Sequence, residues 1–432
     1  MKNKRRDFLK LTGLTGLGLA SGGLLKGYGN EQNNVLPDPD ISSSESPMES
    51  TDEKDISVIG LYGKWAAGLN AGKLPAYSYR NKKFTSAAAW QKLARKRLTE
   101  RLASPDIGGT PDVTIDKEYE YDGLHIEELS WQLPYGRRTS AILLKPVNAT
   151  GPLPCILAFH DHGGNKYLGN RKIARTSDDL PPFLQYHFEH YYQKRAWANE
   201  VAKRGYVVLV ADAFAFGSRR VMLQDVPERL REGLTDNDPE KPANITAYNN
   251  WATGHEHVLA KSLFCAGTTW PGVFLAEDSK ALDILSLRKD VDPLRIGCGG
   301  LSGGGLRTVM LAGMDSRIKC AVCVGFMTTW NDFLLNKSFT HTWMTYVPLA
   351  PNEMEFPEIL GLRIPLPTLV LNNSEDQLFT LPEMKKADSI LQELYNKAAA
   401  TGNYKASFYP GEHKFDVAMQ EEAFSWFDKW LK

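Results

Sequence analysis

A serine stands among glycines in the segment Gly300-Leu301-Ser302-Gly303-Gly304-Gly305. The segment follows a short apolar run and precedes a stretch whose apolar residues recur at helical spacing. The sequence therefore predicts a strand, a tight turn that carries Ser302, and a helix. Glycines suit such a turn, because side chains there would collide with the strand and the helix. The G-x-S-x-G pattern in this setting indicates a serine hydroxyl that acts as a nucleophile.

A serine hydroxyl is a weak nucleophile at neutral pH and needs a histidine base that a carboxylate orients. Downstream of Ser302, one apolar strand leads to Asp376, and a later strand leads to His413. The order serine, acid, histidine, with each residue at the end of a strand, is the order that this architecture requires. We predict Ser302, Asp376 and His413 as a catalytic triad, with Glu375 as the competing acid.

The negative oxygen that forms during acyl transfer needs two N–H donors held in place beforehand. One is predicted to be the backbone N–H of Gly303, which follows the serine and begins a helix. The other is expected from the loop at 160–164, with Gly163 as the first choice and His162 close behind. We also expect His162 and Trp270 to contact the substrate.

Three close pairs of histidines suggest a different chemistry, since metal hydrolases also place H-x-H at the ends of strands. The pairs are His160 with His162, His187 with His190, and His255 with His257. The serine pattern and the two glycines that follow His162 already account for the first pair. We therefore predict no metal site and no cofactor.

The predicted secondary structure that positions these residues differs between the first and the later part of the chain. Alternating runs at 114–121, 124–131 and 139–145 are separated by turn residues, which predicts an antiparallel meander. Beyond them, short apolar runs alternate with helical stretches, as is typical of a parallel sheet covered by helices on both faces. Two polar, aromatic-rich insertions, 164–190 and 219–270, interrupt the alternation, and we expect them to form walls of a pocket.

These patterns resemble the dienelactone-hydrolase and acetyl-xylan-esterase-like branch of the α/β-hydrolase superfamily. Besides the serine segment, the residues that carry the resemblance are His162-Gly163-Gly164, Asp212-x-Phe214-x-x-Gly217-x-Arg219, Val291-Asp292-Pro293-x-Arg295-Ile296-Gly297, Asp376-x-Leu378-Phe379 and His413. The resemblance implies an α/β-hydrolase fold with a mostly parallel sheet of about eight strands, and ester hydrolysis through an acyl-enzyme. True dienelactone hydrolases carry a cysteine where this chain has Ser302, which favours an esterase.

We therefore expect a serine carboxylesterase that acts on a small-molecule or carbohydrate ester, with acetyl as the favoured acyl group. A prolyl-oligopeptidase-like serine peptidase and a non-catalytic surface binding protein remain as alternatives. The 51 basic and 51 acidic side chains balance, which argues against nucleic acid as a partner. The sequence leaves the oligomeric state open.

The N-terminal residues resemble an export signal. The run Arg5-Arg6-Asp7-Phe8-Leu9-Lys10 is similar to the core of a twin-arginine signal, and a weakly apolar, glycine-rich stretch follows it. We assign 1–29 to this signal, with an uncleaved membrane anchor or a basic amphipathic tail as alternatives. A polar segment at 30–55 is predicted to be a disordered linker. The folded chain would then be a helical extension at 56–113 and a catalytic domain at 114–432, exported to the periplasm or the medium.

The chain has five cysteines. A twin-arginine substrate folds in the reducing cytoplasm before export, so few or no disulfides are expected. Cys320 and Cys323 have the spacing of a redox pair, but they lie in a β-branched, apolar run. Residues three apart on a strand point to opposite faces, so we predict no redox pair here.

Export is predicted to require Arg5 and Arg6. Replacing both with lysine keeps the charge but removes the paired guanidinium groups of the signal. Precursor should then accumulate in the cytoplasm, as measured by cell fractionation and immunoblotting. Unimpeded export of the double-lysine variant would refute the twin-arginine assignment.

Overall fold

The protein is described here by a computed structural model that covers residues 56–432. The predicted signal at 1–29 and linker at 30–55 lie outside the described residues. Within the described range, no single helix is both long and apolar enough to cross a membrane. Two consecutive helices, Pro242–Cys265 and Trp270–Ser286, meet that criterion only when taken together, and they are bent by 83°.

Nine strands form one sheet in the described part of the chain, one more than the resemblance implies. They are β1 (Val113–Tyr121), β2 (Leu124–Trp131), β3 (Thr139–Pro146), β4 (Leu153–Phe159), β5 (Val207–Ala211), β6 (Val291–Leu301), β7 (Ile318–Val324), β8 (Thr368–Asn373) and β9 (Tyr404–Tyr409). The order across the sheet is β1-β2-β3-β5-β4-β6-β7-β8-β9. The first three strands form the predicted antiparallel meander, and β3 pairs antiparallel with β5. All pairs from β5 to β9 are parallel, which confirms the predicted mostly parallel sheet.

Helices cover both faces of the sheet. They are α1 (Tyr62–Gly68), α2 (Ala87–Leu102), α3 (Pro182–Tyr192), α4 (Trp197–Lys203), α5 (Pro242–Cys265), α6 (Trp270–Ser286), α7 (Gly303–Met314), α8 (Trp330–Asp332), α9 (Ala350–Glu353), α10 (Phe356–Gly361), α11 (Leu381–Lys397) and α12 (Val417–Leu431). A π-helical turn, Phe333–Lys337, continues α8.

The two insertions contain helices of their own. The first, 164–190, includes most of α3, and the second, 219–270, contains all 24 residues of α5. The second insertion ends at Trp270, which is already the first residue of α6. Aromatic and apolar residues of both insertions, among them Tyr167, Leu184, Tyr248 and Trp251, pack into one buried cluster.

Side chains alternate between two cores, one on each face of the sheet. Leu157 and Phe159 of β4 belong to one core, and Ile156 and Ala158 belong to the other. Cys323 and Cys320 of β7 likewise lie in different cores, which confirms that they face away from each other. All five cysteines are free thiols.

Residues 56–113 pack onto the rest of the described chain through α2. Trp90, Ala94, Leu98 and Leu102 are fully buried at helical spacing. The guanidinium group of Arg95 donates hydrogen bonds to the carbonyl oxygens of Gly313 and Leu362, at 2.9 Å and 2.8 Å. The extension is helical as predicted, but its last residue, Val113, already belongs to β1. 

The register of the parallel strands aligns their carboxyl ends along one edge of the sheet. It pairs Phe159 with Gly300, Leu301 with Val324, and Asn373 with Tyr409. In open α/β sheets, ligands bind beyond the carboxyl ends of the strands, where neighbouring connections diverge. The loops that follow β4, β6, β7, β8 and β9 therefore meet at this edge.

Glycines after β6 allow the turn to approach β4 closely. A Cβ atom at Gly300 or at Gly304 would overlap the carbonyl oxygen of Phe159, and one at Gly305 would lie 2.7 Å from the carbonyl oxygen of Val324. No side chain fits at these distances. The glycines thus allow α7 to begin directly against the ends of β4 and β7.

We expect Gly304→Ala to lower the free energy of unfolding by about 2 kcal/mol, because the added methyl group meets immovable backbone. Gly254→Ala is a matched control in the interior of α5, where a Cβ would meet nothing within 4 Å. That change should raise stability by up to about 1 kcal/mol through helix propensity. Urea unfolding measures both variants, and an equal response would contradict the packing argument.

Candidate active site

The turn between β6 and α7 holds Ser302 in a strained conformation, with φ 57° and ψ −118°. Such backbone angles cost of the order of 1–3 kcal/mol for a residue with a side chain. The Ser302 N–H donates to the carbonyl oxygen of Val324 at 2.9 Å, and its carbonyl accepts from the N–H of Leu306 at 2.9 Å. The sheet and the helix together thus hold the serine at the sheet edge.

A histidine and an aspartate form a close pair beside this turn. Nδ1 of His413 lies 2.6 Å from Oδ2 of Asp376, whose Oδ1 accepts from the N–H of Leu378 at 2.9 Å. Asp376 is buried, whereas Glu375 is exposed and accepts from the N–H of Gly411 at 3.2 Å. The structure therefore places Asp376, and not the competing Glu375, against the histidine.

The other ring nitrogen of His413, Nε2, is buried and has no hydrogen-bond partner in the described part of the chain. The ring rests against Gly325, where a Cβ atom would come within 2.9 Å of Cε1. Because Asp376 accepts the proton of Nδ1, Nε2 keeps a free lone pair. This is the tautomer that a general base needs.

The loop after β4 lies beside the start of α7. A Cβ atom on Gly303 would lie 3.0 Å from the backbone nitrogen of His162. Gly163 has φ 51°, and a Cβ there would overlap the carboxylate of Asp161. The backbone N–H groups of His162, Gly163 and Gly303 donate no hydrogen bond to any described residue. Both predicted donors, Gly303 and Gly163, are therefore available, and so is His162.

Lys172 orients this loop from behind. Its side chain is fully buried, and Nζ donates to the carbonyl oxygens of Asp161 and His162, at 2.6 Å and 2.9 Å. In a trans peptide the N–H points opposite to the carbonyl. Binding both carbonyls therefore turns the N–H groups of His162 and Gly163 away from the lysine. Burial lowers the pKa of Lys172 to about 8.

A buried carboxylate, Asp161, supports the same loop. Its Oδ1 accepts from Nε2 of His187 at 3.1 Å and from the hydroxyl of Tyr192, and Nζ of Lys172 lies 3.8 Å from Oδ2. Burial alone would raise the pKa of Asp161, but His187 and Lys172 hold it well below its usual range. Through His187 and Tyr192, α3 is tied directly to the loop.

The second insertion reaches the loop through Glu256 of α5. Its Oε1 lies 3.0 Å from Nε2 of His162 and contacts Nζ of the buried Lys166. Nδ1 of His162 accepts from the N–H of Gly164 at 3.0 Å, and Nζ of Lys166 lies 2.9 Å from Nε2. Burial and the neighbouring Lys166 lower the pKa of His162 to about 4.

The predicted residues meet at one cleft of about 300 Å³. Ser302, His413, Gly303, Gly163 and His162 all line it, and Asp376 lies behind His413. The cleft also receives side chains that the sequence analysis did not identify, namely Tyr191, Thr253, Phe326, Thr340, His341, Thr342, Met344, Thr345 and Leu378. Leu378 belongs to the motif around Asp376, and Thr253 lies in the second insertion. The others carried no functional pattern in the sequence, because loops far apart along the chain bring them together.

Trp270 lies elsewhere. Its side chain is 1% exposed, and its ring packs against Phe214 and Phe274 in the core. It is absent from the lining of the cleft. The prediction of substrate contact relied on its place at the end of an insertion, but as the first residue of α6 it turns inward.

The histidine pairs do not converge. Among residues 56–432, no three His, Cys, Asp or Glu side chains are grouped so that they could hold a metal ion. Nε2 of His160 accepts from the N–H of Ala213 at 3.2 Å, and His187 pairs with Asp161. His255 stacks on Trp251, with ring centroids 4.7 Å apart. His160, His187 and His255 thus each have a structural partner of their own.

The free energy of unfolding should decrease as the pH falls, because histidines are buried in the folded protein. Burial lowers the pKa of His341 to about 4, whereas an unfolded histidine titrates near 6.5. Between these values the unfolded chain binds more protons, so the free energy of unfolding decreases as the pH falls from 6.5 towards 4. His341 contributes up to about 3 kcal/mol to this loss.

Urea unfolding of His341→Gln at pH 7 and pH 5 should show a smaller difference between the two pH values than the wild type shows. His257→Gln, which removes an exposed ring, is the control. An unchanged pH dependence in His341→Gln would contradict this assignment.

Comparisons with known proteins agree with this architecture. No family model matches the chain. The chain is 26% identical over 341 residues, 78% of its length, to the Bacillus subtilis (strain 168) protein named "Putative hydrolase YtaP", of which the match covers 98%. 

Solved structures match the fold over most of the chain. One is a "putative acetyl xylan esterase" from Bacteroides fragilis, with a TM-score of 0.60 at 18% identity, covering 83% of this chain and 84% of the other. Another is a glucuronoyl esterase from Solibacter usitatus, with a TM-score of 0.54 at 15% identity, covering 83% of this chain and 97% of the other. The nine-stranded sheet, the strained serine turn after β6 and these matches together show that the chain has the α/β-hydrolase fold.

Proposed function

We propose that this chain is a serine carboxylesterase that hydrolyses an uncharged ester through an acyl-enzyme. The arrangement of Ser302 and His413 on one cleft, with Asp376 hydrogen-bonded behind the histidine, carries the proposal. Its residues have the roles of a nucleophile, a base and an orienting acid. The matched YtaP, which is named as a hydrolase, supports the same reaction class.

In the proposed reaction, Oγ of Ser302 attacks the ester carbonyl and His413 Nε2 accepts its proton. The C–O bond of the ester then breaks, and the histidine returns the proton to the leaving alkoxide. Water, deprotonated by the same nitrogen, attacks the acyl-serine and releases the acid. Asp376 holds the ring and stabilises the imidazolium that forms twice in this cycle.

The oxyanion would be bound by the N–H of Gly303 and by an N–H of the loop after β4. Both Gly163 and His162 fit the second role, because Lys172 turns both of their N–H groups to the same side. Donors held in this way need no reorganisation as charge develops, and each contributes several kcal/mol in oxyanion holes of known enzymes.

The lining of the cleft favours a neutral substrate. It includes no lysine or arginine, and its one carboxylate, Asp161, is already engaged with His187 and Lys172. Threonine hydroxyls and apolar side chains such as Phe326 and Met344 make up much of the remaining wall. Together with the resemblance to acetyl xylan esterases, this supports an acetyl ester on a carbohydrate. The resemblance of the N-terminal residues to a twin-arginine signal supports hydrolysis after export from the cytoplasm.

The peptidase alternative has no specific support in the described residues. Residues 56–112 form α1, α2 and their connections, and a gating propeller would need many strands. The binding-protein alternative would require a defective site, whereas the histidine and aspartate lie in hydrogen-bonding distance. We therefore retain the esterase.

Purified protein should hydrolyse p-nitrophenyl acetate, and Ser302→Ala should lower kcat at least about 1,000-fold, because no other group can form the acyl-enzyme. A serine-directed fluorophosphonate should label the wild type and not this variant. Ser374→Ala, which changes another serine directly after a strand of the same sheet, β8, is the matched control and should remain active. Circular dichroism checks that each variant folds.

Three outcomes would overturn the proposal. One is an active Ser302→Ala protein. A second is inactivation by EDTA but not by the fluorophosphonate. The third is cleavage of a peptide substrate with no cleavage of esters. A panel of acetylated, feruloylated and methyl-esterified sugars then identifies the acyl group.

A further inference from the structure

A row of aromatic rings leads from the cleft to the surface along α3. Tyr191 lines the cleft that contains Ser302. The ring of His190 lies 4.5 Å from that of Tyr191, and the ring of Tyr186 stacks on His190 at 5.5 Å with an angle of only 10°. Tyr186 is 58% exposed. Three rings, each in contact with the next, thus extend outward from the site of the proposed chemistry.

The position of this row relative to the nucleophile is rigid. Tyr186 and His190 are four residues apart, so they lie on the same side of the helix. Between and beyond them, His187 and Tyr192 hydrogen-bond to the buried Asp161 of the loop beside Ser302. The helix therefore cannot shift without moving the loop that would bind the oxyanion.

A second set of exposed rings borders the cleft at residues 338–345. Thr342 and Met344 of this segment line the cleft, and Trp343 between them is 39% exposed. Phe339, next to the cleft residue Thr340, is 75% exposed. Exposed single apolar residues are common, but Phe339 and Trp343 each directly adjoin residues that line the cleft, which suggests a binding surface.

We propose that these rings bind the sugar chain of a neutral carbohydrate ester, with the row of α3 and Trp343 contacting sugar units next to the one that carries the acyl group. This inference rests on the proposed function and specifies its substrate as an oligosaccharide or polysaccharide. A pyranose ring presents C–H groups on its faces and hydroxyls at its rim. Aromatic faces cover the C–H groups, and the hydroxyls stay in water.

The charge of the cleft agrees with such a ligand. The lining has no lysine or arginine that would select an anionic chain. Tyrosine and tryptophan also offer large, rigid contact areas at a low cost in conformational entropy. A flexible chain of sugars gains most from contacts that are already in place.

The test compares acetylated xylo-oligosaccharides of two, four and six sugars with p-nitrophenyl acetate, which has no sugar chain. In the wild type, kcat/KM should rise with chain length. In Tyr186→Ala and in Trp343→Ala, the ratio of kcat/KM for the six-sugar ester to that for p-nitrophenyl acetate should fall about fivefold, mainly through KM. Gln185→Ala, an exposed change on α3 that removes no ring, is the control and should keep the wild-type ratio.

A binding measurement separates this inference from the esterase proposal. Ser302→Ala protein should bind the six-sugar ester in isothermal titration calorimetry, and the affinity should drop about fivefold when Tyr186→Ala is added. This result would support the sugar-binding surface even if no ester were turned over. The inference would be overturned if kcat/KM did not depend on chain length and the two proteins bound the six-sugar ester equally. Higher affinity for a protein ligand than for any oligosaccharide would also overturn it.

Discussion

The contact between the glycine turn after β6 and the end of β4 is the constraint on which the rest of the site depends. No Cβ fits at Gly300 or Gly304, since either would overlap the carbonyl oxygen of Phe159. This close approach brings the start of α7 beside the loop that follows β4. The proposed nucleophile and both proposed oxyanion donors are therefore positioned by backbone packing, and the strain at Ser302 is balanced by the hydrogen bonds that hold the turn.

Buried charges extend this constraint to the two insertions. Asp161 connects the loop to α3 through His187 and Tyr192, and Lys172 binds two of the loop's carbonyl oxygens. Burying charged side chains away from water costs free energy unless each charge is paired and hydrogen-bonded. A partly broken network would therefore be unstable, which favours a single arrangement of the loop. In this protein the insertions support the catalytic loop as well as border the cleft.

Some residues of the site could be predicted from the sequence and others could not, for physical reasons. Ser302, Asp376 and His413 each follow an apolar strand, and the carboxyl ends of parallel strands meet, so their convergence could be inferred. Tertiary packing decided between Asp376 and Glu375, because neighbours in sequence point in different directions after a strand ends. Trp270 was predicted to contact the substrate. It is the first residue of α6, however, and its side chain is buried in the core.

The sequence alone determined the order of the strands along the chain, the antiparallel start of the sheet and the glycine-rich turn that carries the serine. These features depend on local periodicity and on glycine, which act over a few residues. Only the tertiary structure decided which side chains surround that serine. Lys172, Tyr191 and His341 carry no local pattern of function, because their roles arise from contacts between segments far apart in the chain. The walls of the cleft, and with them the choice of substrate, depend on those contacts.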